Sequence, residues 1–322
     1  MGPRERVLKA LKRGQPDKVP FMDVVDSRMQ SQIMGRASFD QLELVQKMQF
    51  DSLMYEAYPP FFVEKAVNDN GREIITAGAI RTRADLALVK MPTLDVTFID
   101  NMKRFVDKYG GSGYALYYRT RMGCAGVLNS MGLDNFSYAL LDDPKLVDML
   151  MCIYAEWVIE LLEKTQGIGF DFLWFSDDLA YKSGPMFAPQ VFRDVFLPPM
   201  REICRHIQLP WVFHSDGDLM PIIEDLLSLG MDGLNPIEPG PMDINLLKER
   251  YGKRICLLGN IDLHRTLTQG TTKEVEEEVR QRIESVGKGG GYIIASSNSI
   301  TDYCKLENVF AFRDAVLKYR AY

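Results

Sequence analysis

The chain has little of what would mark a redox, nucleic-acid or membrane protein. Its five cysteines (Cys124, Cys152, Cys204, Cys256 and Cys304) are scattered, odd in number and never spaced as CxxC. That excludes a disulfide framework and a four-thiolate zinc cluster. No run of about 18 apolar residues exists, and the start, MGPRERVLKALKRGQP, has no apolar leader core; the expectation is a cytoplasmic protein without a membrane partner. The net charge is −6 and no basic run is longer than LKALKR, so nucleic acid is not an expected partner either. A phosphate-cradling GxxxxGKS or GxxxxGKT is missing, and the GGG of Gly289–Gly291 precedes a strand pattern rather than joining strand to helix, which excludes a dinucleotide fingerprint. Internal repeats and Pro/Gly/Ser-rich linkers are absent, and residues 1–322 read as one domain. Histidine is scarce: there are three.

What is present is alternation. Short apolar runs, Val19–Val25, Ser52–Tyr58, Ala115–Thr120, Phe170–Asp178, Trp211–Asp216, Gly233–Glu238, Ile255–Asp262 and Tyr292–Asn298, are separated by longer helical patterns. Several runs are apolar almost throughout, as strands covered on both faces are. Pro144–Thr165 carries apolar residues at helical spacing behind a first-turn proline, and Pro189–Ile207 is a helix that Pro198–Pro199 should kink or split. Asn68–Lys90 breaks the alternation and reads as an inserted hairpin turning at Asn70–Gly71. The pattern predicts an α/β fold, a (β/α)8 TIM barrel with an N-terminal helical extension and that hairpin. In such a barrel the reactive groups stand at the C-terminal ends of the strands.

Polar residues collect at those ends: Glu56 and Tyr58, Arg119 and Arg121, Asp177 and Asp178, His214 and Asp216, Glu238, Asn260 and Asp262, Ser297 and Asn298. Glu56, Arg119, Asp178, His214, Glu238 and Asn298 are therefore expected to ring one cavity. His214 is read as a metal ligand or an acid–base group, against the plainer reading of a polar residue holding a loop. Of Asp177 and Asp178, alternation sends one into the mouth and the other toward supporting loops. The arginines can clamp a carboxylate in a fork or pair with Asp177 or Glu56. Tyr58 belongs to an aromatic group able to form part of a flat pocket.

Four segments carry a family resemblance. LLGNIDLHRTL (Leu257–Leu267), GGGYIIASSNSI (Gly289–Ile300), RERVLKALKRGQPDKVP (Arg4–Pro20) and DDLAYKSGPMFAPQVF (Asp177–Phe192) resemble the uroporphyrinogen decarboxylase superfamily. The resemblance implies the barrel, and one of two chemistries. The decarboxylases hold a porphyrinogen's carboxylates with an arginine motif after the first strand. Here that region is FMDVVDSRMQSQIMGRASF, acidic at Asp23 and Asp26. The other branch contains methyltransferases and O-demethylases that work with corrinoid proteins. Its coenzyme M enzymes bind zinc through His-x-Cys and a later Cys. Here His214 stands with Asp216 in the Cys position and Ser297 or Asn298 near the later one. Some O-demethylases use two glutamates and a histidine; Asp178 is placed like the first glutamate, Arg193 replaces the second, and Glu238 is the substitute. The resemblance thus implies catalysis by His214, Asp178 and Asp177, with zinc on His214, Asp178, Glu238 and Asp216. Glu56, Tyr58, Arg119, Arg121, Asn260 and Asn298 would bind a small methylated substrate, such as a methoxylated aromatic. The methyl acceptor would be a corrinoid on a partner protein, and a homodimer is the other candidate assembly.

Overall fold

A computed structural model describes residues 1–69 and 71–322. Among these the strands are β1 (Ser52–Glu56), β2 (Val63–Val67), β3 (Glu73–Gly78), β4 (Ala115–Thr120), β5 (Phe172–Ser176), β6 (Ala180–Tyr181), β7 (Gly184–Pro185), β8 (Trp211–His214), β9 (Gly233–Asn235), β10 (Cys256–Ile261) and β11 (Tyr292–Ser296). Seven of them form one parallel sheet in the order β1-β4-β5-β8-β9-β10-β11, with helices in the connections. β4, β5, β8, β10 and β11 are buried along their whole length, which is why their sequences lack a polar alternate. No helix among the described residues is long and apolar enough to cross a membrane.

The eighth predicted strand, Val19–Val25, stays outside the ladder. Only Phe21 and Val25 bridge, to Ile294 and Ile300. Pro20 has no N–H to give, and Phe21 donates its own to the Asp51 carboxylate at 2.7 Å instead of to a strand. The segment still touches both edges of the sheet: the Pro20 carbonyl accepts from Ile294 N at 2.9 Å and the Phe21 carbonyl from Asp51 N at 2.7 Å. The sheet therefore curls until this segment spans the space between β1 and β11, in the manner of a barrel.

The N-terminal ends of the strands are closed by the helix Pro3–Leu11. Val7, Ala10 and Leu11 are fully buried against interior side chains such as Tyr117, Phe172, Val212 and Leu258. Three carboxylates that precede strands each hold a neighbouring strand or segment by its N–H and an N-terminal arginine by its guanidinium. Asp51 takes Phe21 N and Arg6 (both 2.7 Å), Asp171 takes Leu116 N (2.9 Å) and Arg4 (2.7 Å), and Asp232 takes Trp211 N (3.1 Å) and Arg13 (2.9 Å).

Two antiparallel pairs lie outside the main sheet, β2 with β3 and β6 with β7. Asn70, at the turn predicted for the first pair, lies outside the described residues. The irregularity predicted at Pro198–Pro199 falls earlier. A π-helical turn at Phe192–Phe196 precedes the helix Leu197–Arg205, whose first turn holds both prolines. The prolines thus lie where the hydrogen-bond pattern changes from π to α, a place where a missing N–H costs less.

Candidate active site

The C-terminal ends of β5 and β8 bring together Asp178, His214 and Asp216. One nitrogen of His214 and one oxygen of each aspartate lie within 4.8 Å of one another. His214 ends β8 and is buried, with Nε2 at 3.7 Å from Asp178 Oδ1 and 4.0 Å from Asp216 Oδ1. Its other nitrogen is committed: Nδ1 is 2.6 Å from Asn235 Oδ1. Asn235 donates its own Nδ2 to the Leu258 carbonyl at 3.2 Å, so its oxygen is the atom that faces the ring. An oxygen there accepts, and the proton sits on Nδ1. The Nε2 lone pair is thereby turned toward the two aspartates, the arrangement of a metal-ligating or proton-accepting imidazole. Burial, with Arg119 and Arg121 adding to it against the pull of Asp178, lowers the His214 pKa and favours the neutral ring.

The aspartates differ. Asp178 is half exposed, and accepts from the Asp216 backbone N–H at 3.3 Å. Asp216 is more enclosed. Its Oδ2 accepts from Asn298 Nδ2, whereas its buried Oδ1 has no hydrogen-bond partner among the described residues. Burial first, then Asp178 and Glu238, pushes its carboxyl up to about 7. An orphaned carboxylate oxygen beside a free imidazole lone pair fits a divalent cation of the zinc type, which takes N and O ligands together.

The loop carrying Asp216 depends on Gly217. At φ +82° this residue lies where a Cβ would meet the Ala180 carbonyl group at 2.6 Å, so only glycine lets the loop pass under the β6–β7 pair. Glu238 secures the same loop by accepting from Gly217 N (3.1 Å) and pairing with Lys182 Nζ (3.2 Å). Expected as a further ligand, it is not one of the three donors that lie within 4.8 Å of one another. Both of its oxygens are engaged, and the nearest need they meet is a loop amide.

Asp177, also expected to be catalytic, is fully buried and accepts from two backbone amides, Met122 N and, at 2.7 Å, Ala125 N. The helix Cys124–Met131 begins at Gly123, which has no side chain to cap it; Asp177 supplies the missing acceptor from the next strand. Burial pushes its carboxyl up to about 6 against these two amides. Asn260, almost wholly buried, donates to the Ile237 carbonyl at 2.7 Å, while its Oδ1 has no partner among the described residues.

Beside His214 lies a narrow cavity lined by Asp23, Arg119, Trp174, Asn235 and Asn298, with room for about one water molecule. Of the six residues expected to ring one cavity, Arg119, His214 and Asn298 do so. Asp178 faces a separate groove that also touches Tyr181 and Leu133. Glu56 is half exposed, 3.8 Å from Arg119, and Glu238 is held by the loop. The reason is local: strands end at different heights, so residues at strand ends need not share a wall. Arg119 donates to Ser176 Oγ at 3.1 Å, and Tyr58 OH is 3.4 Å from the same hydroxyl. Arg121 stacks between the rings of Tyr58 (4.0 Å) and Phe61 (4.4 Å); neither arginine pairs with Asp177.

Three contributors escape a reading of the sequence. Asn235 sits inside an apolar strand and looks like the start of a turn before Pro236. Trp174 looks like core. Asp23 reads only as an acidic lip, yet it accepts from Ser296 N, Ser296 Oγ and Val24 N at 2.7–2.9 Å in the cavity wall, where burial pushes its carboxyl up to about 7. The one available signal was position: each lies on a segment already read as a barrel strand.

This curled parallel sheet, with its polar cluster at the C-terminal mouth, is that of a barrel enzyme scaffold. The chain belongs to the uroporphyrinogen decarboxylase (URO-D) family, whose profile matches residues 125–319. It is 24% identical over 184 residues to a uroporphyrinogen decarboxylase of Psychromonas ingrahamii, covering 54% of this chain and 49% of that protein. It is 21% identical over 184 residues to a methylated-thiol–coenzyme M methyltransferase of Methanosarcina mazei, covering 56% of this chain and 47% of that one. The match thus spans about half the length of these curated relatives. Among solved structures, a methyltransferase from Methanosarcina mazei superposes with a TM-score of 0.75 at 18% identity over 99% of both chains. A B12-independent methionine synthase from a Shewanella species does so at 0.55 and 13% identity over 95% of both. Both show the fold.

Proposed function

We propose that the chain is a methyltransferase that takes the methyl group of a small methylated substrate, methoxylated aromatics among the candidates, and delivers it to the corrinoid of a separate protein. The observation that carries the reading is the donor set Asp178, His214 and Asp216, with the Nε2 lone pair and the orphaned Asp216 oxygen facing one another. The similarity to a methylated-thiol–coenzyme M methyltransferase supports it. These three residues would hold zinc, which when bound supplies Lewis acidity toward the heteroatom carrying the methyl group. Asn235 fixes the imidazole, and Asn298 and Glu238 hold the Asp216 loop. The methyl group passes to the acceptor without its bonding electrons, which stay on the donor heteroatom; that atom takes a proton from solvent at the half-exposed face beside Asp178.

The second reading, decarboxylation of a porphyrinogen, is favoured by the family and by the decarboxylase relative. Against it stands the acidic Asp23 in the cavity wall, where a porphyrinogen's carboxylates would need positive charge. The test supplies purified protein with zinc, a methylated donor and a corrinoid protein, and separately with uroporphyrinogen. The expected result is about one zinc per chain, methylation of the corrinoid, and loss of both in His214→Ala. Coproporphyrinogen formation without corrinoid methylation would replace this reading by the second.

A further inference from the structure

Arg119 is a buried cation with too few partners. Its residue is 8% exposed, and a guanidinium brings five N–H donors. One oxygen, Ser176 Oγ, takes a hydrogen bond at 3.1 Å; the other contact is the Met54 sulfur at 3.7 Å. Nε has no partner among the described residues. The nearest carboxylate, Glu56, is 3.8 Å away and half exposed, where solvent screens it. Arg121, two residues on, lies between two aromatic rings and has no carboxylate within 4.0 Å among the described residues, so it brings no counter-ion to the site.

A second orphan donor faces the same cavity. Trp174 is 4% exposed, its Nε1–H has no acceptor among the described residues, and its ring centre is 5.9 Å from the Arg119 guanidinium and 6.3 Å from the His214 ring. Asp23, on the cavity wall, does not answer this need, because its oxygens are taken up by Ser296 and Val24. Two unsatisfied buried donors, one of them charged, cost free energy unless something supplies acceptors.

We propose that this cavity is a carboxylate subsite: the methyl donor is a small acid, one carboxylate oxygen entering between Arg119 and Trp174 while its methylated end reaches the Asp178–His214–Asp216 cluster. The space admits an oxygen-sized group and excludes a ring. The inference rests on the methyltransferase reading for the identity of the ligand as donor; the binding itself requires neither metal nor transfer.

Calorimetric titration of the full chain with methoxyacetate and with its neutral isostere methoxyacetamide tests it. The expected result is a carboxylate bound about tenfold or more tighter than the amide, as a charge-assisted pair gives. Arg119→Gln should remove that preference, and Trp174→Phe should weaken carboxylate binding severalfold while keeping the core filled. Thermal melts accompany both. If Arg119→Gln does not fold, Trp174→Phe decides. Equal binding of acid and amide, no saturable binding of the acid, or carboxylate binding indifferent to the variants that fold would overturn the subsite. Carboxylate binding without corrinoid methylation would sink the methyltransferase reading and leave the subsite standing. Methylation from neutral ethers alone would do the reverse.

Discussion

The two ends of the strand sheet use the same residue types for opposite ends. At the N-terminal end, Asp51 is met by Arg6 at 2.7 Å, Arg320 at 3.3 Å and the Phe21 amide at 2.7 Å, and nothing about it is left over. At the C-terminal end, Asp216 keeps an oxygen without a partner, Arg119 keeps a donor without an acceptor, and His214 turns a free lone pair outward. One end is satisfied and the other is waiting. Buried polar groups that complete each other serve stability, and those that do not mark a place where a ligand completes them.

The largest expected effect contrasts Asp51 with His214. Asp51→Asn leaves Arg320 buried beside a neutral amide and Arg6 with Asp17 alone, and should cost about 3 kcal/mol, the lower end of the scale for breaking a buried pair from one side. His214→Ala should cost about 1 kcal/mol while abolishing zinc uptake and methyl transfer. Chemical denaturation beside metal analysis separates the two. A His214 variant as unstable as the Asp51 variant would erase the distinction between the ends.

Two carboxylates, Asp17 near the N-terminal end and Asp23 at the C-terminal end, should respond to pH with opposite sign. Near the N-terminal end the Arg6 guanidinium holds Asp17 down to about 2. Its folded value lies below its unfolded one, so its contribution is present above about pH 4 and lost as pH falls toward 2. At the C-terminal end burial holds Asp23 up to about 7. Its folded value lies above its unfolded one, so its contribution is present below about pH 4 and lost as pH rises to about 7. That decline has a slope of at most about 1.4 kcal/mol per pH unit. Asp23→Asn should reduce the protein's decline by one proton's share, with Asp177 and Asp216 carrying the rest, and leave the acid limb alone. Denaturation at a series of pH values checks this, and an unchanged slope in the variant would place Asp23 outside the titrating set.

The fold was legible where burial is two-sided. Apolar strands and helical spacing announce themselves, and seven of eight predicted strands enter the sheet. Val19–Val25 does not, because Pro20 and the Asp51 carboxylate divert its amides, and a carboxylate thirty residues away leaves no trace in a local pattern. In the site, Asp178, His214 and Asp216 were legible as polar residues at strand ends. Asp177 was not separable from Asp178 by type, since only the uncapped helix at Gly123 decides which of the two turns inward. Asn235 and Trp174 were hidden because their polar atoms sit on residues that also fill cores; a pattern of apolar and polar letters cannot show where a donor points.

Asn235 gives the smallest and most specific prediction. If its oxygen sets the His214 tautomer, Asn235→Leu removes the acceptor for Nδ1–H, and the proton can move to Nε2, where it blocks the lone pair facing Asp178 and Asp216. A lost supporting hydrogen bond of this kind weakens metal binding about 10- to 100-fold. Asn235→Asp keeps an acceptor at Nδ1 and should restore most of the affinity. The direct readout is the nitrogen shifts of the imidazole: with three histidines in the chain, the His214 signals are assignable by comparison with His214→Ala. Wild type should show Nδ1 protonated and Nε2 bare in the metal-free protein, and Asn235→Leu should show the other form or a mixture. A leucine variant with the wild-type tautomer and weakened zinc binding would mean that Asn235 acts only by packing β9 against β8. The donor set would then owe its orientation to Trp174 and Asp178 instead.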